Sequence, residues 1–160
     1  MPERQENATA QFVAVDELLT RWLAERRSLL TRYTELVVSL DIQSSEDALK
    51  QRQLELCTRL IDYTSSGHFE VFHELLAEAE QFDDGSKDVA VQLMPSIGDT
   101  TEVILAYEEK YGDGGNYPET LPRDLSALGE VLESRFVLED RLIAGLHQSH
   151  RRLVESPAPV

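Results

Sequence analysis

The sequence has 160 residues, the size of a single domain, and its 41% hydrophobic fraction is ordinary for a folded protein. A net charge of −15, from thirty acidic and fifteen basic residues, disfavours direct binding to nucleic acid and favours a basic partner, unless the acidity serves only solubility. No apolar run approaches the roughly 18 residues that cross a bilayer, so we expect no membrane span or membrane partner.

A long first helix is predicted over about 8–40, after a polar N-terminus that should fray over about 1–7 and does not resemble a secretory signal. Its apolar residues recur with a seven-residue period and are Phe12, Val15, Leu19, Trp22, Leu29, Tyr33, Leu36 and Leu40. Arg26 is the polar member of this stripe. The pattern predicts a helix that packs one face against a core.

A second helix is predicted over about 46–65, where Ser44 or Ser45 before two acidic residues is typical of a helix N-terminus. Gly67 should end this helix, because glycine adopts the left-handed cap conformation at little cost. The single cysteine, Cys57, lies in the helical pattern and is expected to be a core thiol. One cysteine excludes an internal disulfide and is compatible with a cytoplasmic protein.

Two further helices are predicted, over about 68–82, with Phe69 among the buried residues, and over about 87–111. Pro95 lies inside the later segment. It cannot donate an amide hydrogen bond, and its ring clashes with the preceding turn. We therefore expect this helix to break or kink at Pro95.

The last helix is predicted over about 121–153, between a loop rich in glycine and proline and a tail that should fray over about 155–160. No stretch alternates with a period of two residues, so we expect no sheet. Two long helices with shorter helices packed along them predict an all-α fold. The expected architecture is an antiparallel four-helix-type bundle, a single helical domain over 1–160.

Charged residues interrupt the apolar stripes of the first and last helices. Arg135 and Glu139 are four residues apart and share a face, and Arg26 interrupts the first helix. One interpretation is a buried polar network of these three residues, in which a buried arginine must be paired. The other is that long stems cover apolar surface while the charged heads reach water. A buried network could fix helix register or line a small-ligand cavity.

Histidines give little support to a metal centre or a catalytic site. Glu70 and His73 have the E-x-x-H spacing of di-iron bundles, but the second pair that this chemistry needs is missing. His147 and His150 should interact with the negative end of the last helix. His68 should hydrogen-bond within the corner between the second and third helices. With no phosphate-binding loop or nucleophile motif either, we expect no metal, no cofactor and no enzyme.

Three sequence blocks resemble the Rsd/AlgQ family of bacterial regulators of RNA polymerase sigma factors. They are "DELLTRWLAERRSLLTRYTELV" (16–37), "LCTRLIDYTSSGHFEVFHELL" (56–76) and "LGEVLESRFVLEDRLIAGL" (128–146). The blocks occur in family order, and the resemblance covers about 12–150. It implies a cytoplasmic anti-sigma factor that binds region 4 of the housekeeping sigma factor. Binding would sequester sigma from core RNA polymerase and from −35 promoter DNA.

Carried onto this sequence, the resemblance implies that Asp62 contacts sigma, with Leu18 and Trp22 as further contacts. Asp62 lies near a predicted helix C-terminus, where an acid is unfavourable with the helix dipole and needs another reason to occur. A cap or a local salt bridge is the alternative for Asp62, and a core position is the alternative for Trp22.

Two other functions stay open at this point. The first is a small-ligand-binding helical bundle that uses the polar interior as its pocket. The second is an acidic scaffold for several regulatory proteins. Other regulatory proteins also stay open as additional partners of an anti-sigma factor.

Overall fold

The computed structural model describes residues 2–115 and 117–155, apart from the side chains of residues 2 and 4. Its helices are α1 (Pro2–Asp41), α2 (Glu46–Ser66), α3 (Phe72–Phe82), α4 (Lys87–Tyr111), α5 (Leu121–Leu146) and α6 (Arg151–Glu155). A π-helical turn, Gly67–Val71, joins α2 to α3, and a 3₁₀ turn, Gln148–His150, precedes α6. These two ranges contain no strand, and the all-α prediction is confirmed.

Neighbouring helices run antiparallel, as the order of their contacts indicates. Trp22 on α1 meets Tyr63 on α2, whereas Glu35, further along α1, meets Arg52, nearer the start of α2. α4 and α5 are related in the same way, and α3 packs mainly on α1. Short connections between antiparallel helices are typical of a helical bundle.

The core lies between the apolar faces of the longer helices. Its most deeply buried aliphatic side chains are Leu29, Leu36, Leu56, Leu60, Leu75, Ile104 and Leu146. Cys57 belongs to this core, and burial raises the pKa of its thiol to about 12, so the thiol is protonated at neutral pH. None of the helices within the described ranges carries an apolar stretch long enough to span a bilayer.

The start of α2 is predicted correctly, but the start of α1 is not. The Ser45 hydroxyl accepts a hydrogen bond from the Ala48 amide at 3.2 Å and caps α2. α1 begins at Pro2, before the predicted start at about residue 8, so residues 2–7 are helical where a frayed tail was predicted. The predicted fraying of residue 1 and of 156–160 lies outside the described residues.

The last helix is shorter than predicted. α5 ends at Leu146, and the backbone of His147, with φ −131° and ψ −60°, leaves the helical conformation. The His147 ring bonds to acidic residues on α1 and α3, contacts that the spacing of apolar residues does not encode. α5 therefore has 26 residues and is close in length to α4, which has 25.

Gly67 does not end the helix, contrary to the prediction. Its φ of −58° and ψ of −52° are right-handed helical, and the chain continues through the π turn into α3. Glycine serves here to provide space, because a Cβ atom at this position would lie 3.0 Å from the Trp22 ring. Asp62 therefore does not lie at a free helix C-terminus, and the helix dipole gives no reason for a partner contact there.

Pro95 does not interrupt α4, which is continuous from Lys87 to Tyr111. The proline removes one backbone hydrogen bond, to the carbonyl of Val91. Both residues are exposed, Val91 to 68%, so that water can satisfy the freed carbonyl. The predicted break is wrong because the missing hydrogen bond falls on the solvent side of the helix.

Candidate functional site

Glu139 on α5 lies at the centre of a buried polar network, which we call the central network: Arg26, Tyr63, Arg135 and Glu139. Arg135 donates from Nε to Glu139 Oε2 at 2.9 Å, and Arg26 on α1 donates from Nη2 to Oε1 at 3.1 Å. The Tyr63 hydroxyl on α2 donates to the same Oε1 at 2.5 Å. Three helices therefore meet at one carboxylate that is fully buried.

Arg135 extends the central network to a fourth helix. Its Nη1 donates to the hydroxyls of Thr100 and Thr101 on α4, at 3.1 and 2.6 Å, and to the Ile97 carbonyl at 3.4 Å. The guanidinium is thus both paired and hydrogen-bonded, as burial of a charge requires. Burial raises the pKa of Glu139, and the charge of Arg135 opposes that shift.

Arg26 is the member of the central network closest to solvent. Its side chain is 13% exposed, and Nη1 donates to the exposed Asp140 at 2.7 Å. Its guanidinium also lies over the Phe136 ring, 4.7 Å from the centroid. The structure brings Arg26, Arg135 and Glu139 together. The alternative with charged heads in water does not describe Arg135, which is 1% exposed.

The sequence did not reveal the hydroxyl groups that complete the central network. Tyr63 follows Asp62 directly in one of the blocks quoted above, and that block was the signal that could have identified it. Thr100 and Thr101 carry no comparable signal, because a threonine on a core stripe has the same spacing whether it packs or donates. Only the tertiary contact with Arg135 identifies them.

Trp22 is 1% exposed and occupies the core position that was the alternative to a partner contact. Its indole Nε1 donates to the Tyr63 carbonyl at 3.2 Å, and its ring stacks on the Tyr63 ring with centroids 4.7 Å apart. Trp22 is therefore a core residue that positions Tyr63. Leu18, one turn earlier on α1, is half-buried against the core and has part of its side chain at the surface.

Asp62 is exposed and belongs to what we call the acidic surface: Glu25, Asp62 and Glu70. The exposed residues His68 and Phe69 directly precede Glu70 in the sequence. Burial raises the pKa of Glu25, and the charges of Asp62 and Glu70 raise it further. Asp62 and Glu70 are therefore each close enough to Glu25 to repel its carboxylate.

A cleft of about 300 Å³ opens beside Asp62. Its lining residues are Glu25, Arg59, Asp62, Tyr63, Ser65 and Ser66. Arg59 is the one cation in this lining, so the cleft keeps a net negative charge. Tyr63 belongs to both the cleft and the central network, and it connects the surface with the buried ions.

Phe69 is 74% exposed, so the prediction that it is buried is wrong. The π turn is wider than an α-helical turn and rotates the residues that follow, which places Val71 and Phe72 in the core instead. His68 is also exposed, and its ring packs edge to face on the Phe69 ring at 4.8 Å. This aromatic contact takes the place of the hydrogen bond expected for His68.

An exposed aromatic side chain such as Phe69 is typical of a protein–protein interface, in which charged residues occupy the rim. Among residues 2–115 and 117–155, no group of three or more His, Cys, Asp and Glu side chains is placed to hold a metal ion. The fold and the acidic surface indicate a helical protein-binding module.

Residues 1–147 match the family described as "Regulator of RNA polymerase sigma(70) subunit, Rsd/AlgQ", and the chain belongs to this family. The family's role is regulatory rather than enzymatic, which agrees with the expectation that the protein is not an enzyme. The resemblance found in the sequence blocks is confirmed.

Among the relatives, the Regulator of sigma D of Shigella boydii is 34% identical over 148 residues, 89% of this chain and 92% of that protein. The Regulator of sigma D of Yersinia enterocolitica is 30% identical over 148 residues, 89% of this chain and 88% of that protein. That of Yersinia pseudotuberculosis is also 30% identical and is covered to 87%. No solved structure gives a significant match.

Proposed function

We propose that this protein is an anti-sigma factor that binds region 4 of the housekeeping sigma factor. Binding would withhold sigma from core RNA polymerase and from −35 promoter DNA, in the cytoplasm where polymerase works. The observation that carries the proposal is membership of a family that regulates the sigma-70 subunit. The exposed acidic surface around Asp62 supports the choice of region 4 as the partner.

Charge complementarity explains why region 4 would suit the acidic surface. Sigma region 4 is a helix-turn-helix module, which carries basic residues for contacts to the phosphate backbone. A chain with a net charge of −15 would attract it at long range and raise the association rate at low salt. The negative cleft beside Asp62 could take a lysine or arginine side chain, and Phe69 could cover its apolar stem.

The central network supports this function by holding the acidic surface in place before binding. Tyr63 points inward to Glu139, while its neighbour Asp62 points to solvent. The Trp22 ring stacks on the Tyr63 ring, and the Trp22 indole N–H donates a hydrogen bond that fixes the Tyr63 backbone carbonyl. A surface fixed in this way loses less conformational entropy when a partner binds.

The experiment is a binding titration between this protein and isolated sigma region 4, with complex size measured by chromatography. We expect a 1:1 complex that weakens as salt is added. Asp62→Ala should weaken binding about tenfold or more, because a central interface charge loses its partner. Asp99→Ala on α4 is the matched control, since it removes the same charge from an exposed acid away from the acidic surface.

Lack of any complex at micromolar concentrations would contradict the proposal. Equal weakening by both substitutions would show that net charge, and not the acidic surface, determines binding. The ligand-binding alternative predicts a metabolite released on denaturation, but the buried Arg135 already has protein partners. The scaffold alternative predicts that other regulatory proteins bind whereas region 4 does not.

A further inference from the structure

Glu78 on α3 is the centre of a second buried ionic group, which we call the histidine cluster: Glu78, His147 and His150. His147 Nδ1 lies 2.5 Å from Glu78 Oε1, and His150 Nδ1 lies 2.6 Å from Oε2. The side chains of Glu78 and His150 are fully buried, and that of His147 is 1% exposed. The sequence-based expectation placed both histidines at a helix end, without any acidic partner.

The outer nitrogen of each ring also faces a carboxylate. His147 Nε2 lies 2.8 Å from Asp16 Oδ1 on α1, and Arg151 donates to the same oxygen at 2.8 Å. His150 Nε2 lies 3.0 Å from Asp84 Oδ2 in the loop after α3, with the Ser86 hydroxyl at 3.3 Å. The charged groups that face the two rings are therefore Glu78, Asp16 and Asp84, with Arg151 bound to Asp16.

This geometry has a simple consequence for protons. A neutral imidazole has one N–H donor and one lone pair, whereas the imidazolium form donates from both nitrogens. Each ring has a carboxylate oxygen at both nitrogens, so a neutral ring would direct a lone pair at an ionised acid. The arrangement is complementary to two imidazolium rings around one buried carboxylate.

The electrostatics of His147 and Asp16 agree with the geometry. Burial alone would lower the pKa of His147, but the hydrogen bonds and charges of Glu78 and Asp16 outweigh burial and raise it. The hydrogen bond from His147 is the largest influence on Asp16 and lowers the pKa of its carboxyl. Each partner thus favours the charged form of the other.

The cluster holds the C-terminal segment His147–Glu155, which we call the strap. Phe12 stacks on the His147 ring and Phe82 stacks on the His150 ring, both with centroids 4.1 Å apart. α6, the outer part of the strap, has no buried residue, and Leu153 is 57% exposed. Ion pairs and ring stacking therefore hold the strap, with little burial of aliphatic side chains.

We propose that the strap is a proton-dependent latch, closed when His147 carries a proton on both ring nitrogens and bonds Glu78 and Asp16, and released when it loses one of them. Release would leave Glu78 without its donors and would expose Phe12 on α1 and Phe82 on α3. Those newly exposed rings would change the surface at the end of the bundle where α1, α3 and the strap meet. The latch does not depend on the identity of the partner that binds the acidic surface.

The first test reads the protons directly, by long-range ¹H–¹⁵N NMR of the histidine rings in the full chain. We expect the His147 ring to carry two protons at pH 7, with the exposed His68 and His73 as references in the same spectrum. A His147 ring with only one proton at pH 7 would overturn the proposal.

The second test follows amide hydrogen exchange across the strap as pH rises, after correction for the intrinsic rate. Protection of the strap amides should fall roughly tenfold or more, the equivalent of one lost charge-assisted hydrogen bond, while α2 amides stay protected. His147→Gln should remove this pH dependence, and His73→Gln should leave it intact. Strap protection that is constant with pH, or that falls together with α2, contradicts a latch, and the wild-type titration decides this even if the variant does not fold.

Discussion

Two glutamates in this protein are fully buried, and they differ in the cations that surround them. Glu139 lies in the middle of the bundle and is held by Arg26 and Arg135. Glu78 lies at one end and is held by His147 and His150. Both carboxylates use their two oxygens for two basic side chains, and both connect helices that are distant in the sequence.

The difference in cation has a physical consequence. Arginine stays charged at every pH at which the protein is folded, whereas histidine gains or loses its charge near neutrality. The central network is therefore a permanent connection, suited to fixing the register of α1, α2, α4 and α5. The histidine cluster is a connection that can be undone by removing protons. Three predictions test this contrast.

Arg135→Met should produce the largest effect, a loss of about 3–5 kcal/mol in the free energy of unfolding. The substitution leaves the buried Glu139 carboxylate short of one cation and leaves the hydroxyls of Thr100 and Thr101 without their donor. Urea denaturation measures it. The matched control is Arg141→Met on the exposed face of α5, which should change stability by less than about 0.5 kcal/mol.

A change near zero for Arg135→Met would mean that the central network is not energetically important. Replacing Glu139 by leucine in the same chain adds a sharper test. Removing both ends of a buried ion pair is often tolerated, so the double variant should be more stable than Arg135→Met alone. Equal stabilities would show that the two residues are not coupled.

The pH dependence of stability should distinguish the histidine cluster around Glu78 from the central network around Glu139. The expected change in the free energy of unfolding is of intermediate size, about 1–2 kcal/mol. The folded state raises the pKa of His147 above its ordinary value of 6.5, so this stabilisation is complete below about pH 6.5 and is lost as pH rises through the folded-state pKa. Asp16 has a lowered pKa, so its stabilisation is present above about pH 3.8 and is lost at lower pH.

Denaturation of the wild type and of His147→Gln across this range is the measurement. The wild type should lose stability above about pH 6.5, and the variant should show a much smaller slope there. His68→Gln is the control, because the His68 ring is exposed and does not belong to the histidine cluster. Identical pH profiles for the wild type and His147→Gln would remove the contrast between the clusters.

The smallest effects should come from the outer acids of each cluster. Asp140→Asn removes the exposed partner of Arg26, and Asp84→Asn removes the outer partner of His150. Asp140 is 61% exposed and Asp84 is 37% exposed, so each substitution should cost about 1 kcal/mol or less by thermal denaturation. The free energy lost in Asp84→Asn should be a larger share of the stabilisation that the histidine cluster provides than the loss in Asp140→Asn is of the central network's. A loss above about 2 kcal/mol for Asp140→Asn would contradict a surface role for Asp140.

The sequence predicted the central network better than the histidine cluster, and the reason is periodicity. Arg26, Arg135 and Glu139 stand out because each occupies a position where an apolar residue was expected. His147 and His150 follow the point where α5 ends, so the helical period no longer says which way they face. Glu78 occupies an inward position on α3, but a single acidic residue in a helix this short does not stand out against the apolar pattern around it.

Local sequence determined most of what is helical in this protein. The apolar stripes, the Ser45 cap and the absence of a two-residue period were sufficient for an all-α bundle, because helix formation depends on near neighbours. The three sequence blocks also determined the family, since they preserve residue types in order.

Tertiary structure decided the features that depend on contacts between distant residues. Gly67 lies within a helical run at a position where the Trp22 ring leaves no room for a side chain, and Phe69 is exposed because the π turn rotates the chain. His147 ends α5 because acids on α1 and α3 are within hydrogen-bond distance. Helix propensities differ by only about 1 kcal/mol per residue among these residue types, so contacts between distant residues, such as a buried ring or a charge-assisted hydrogen bond, outweigh them.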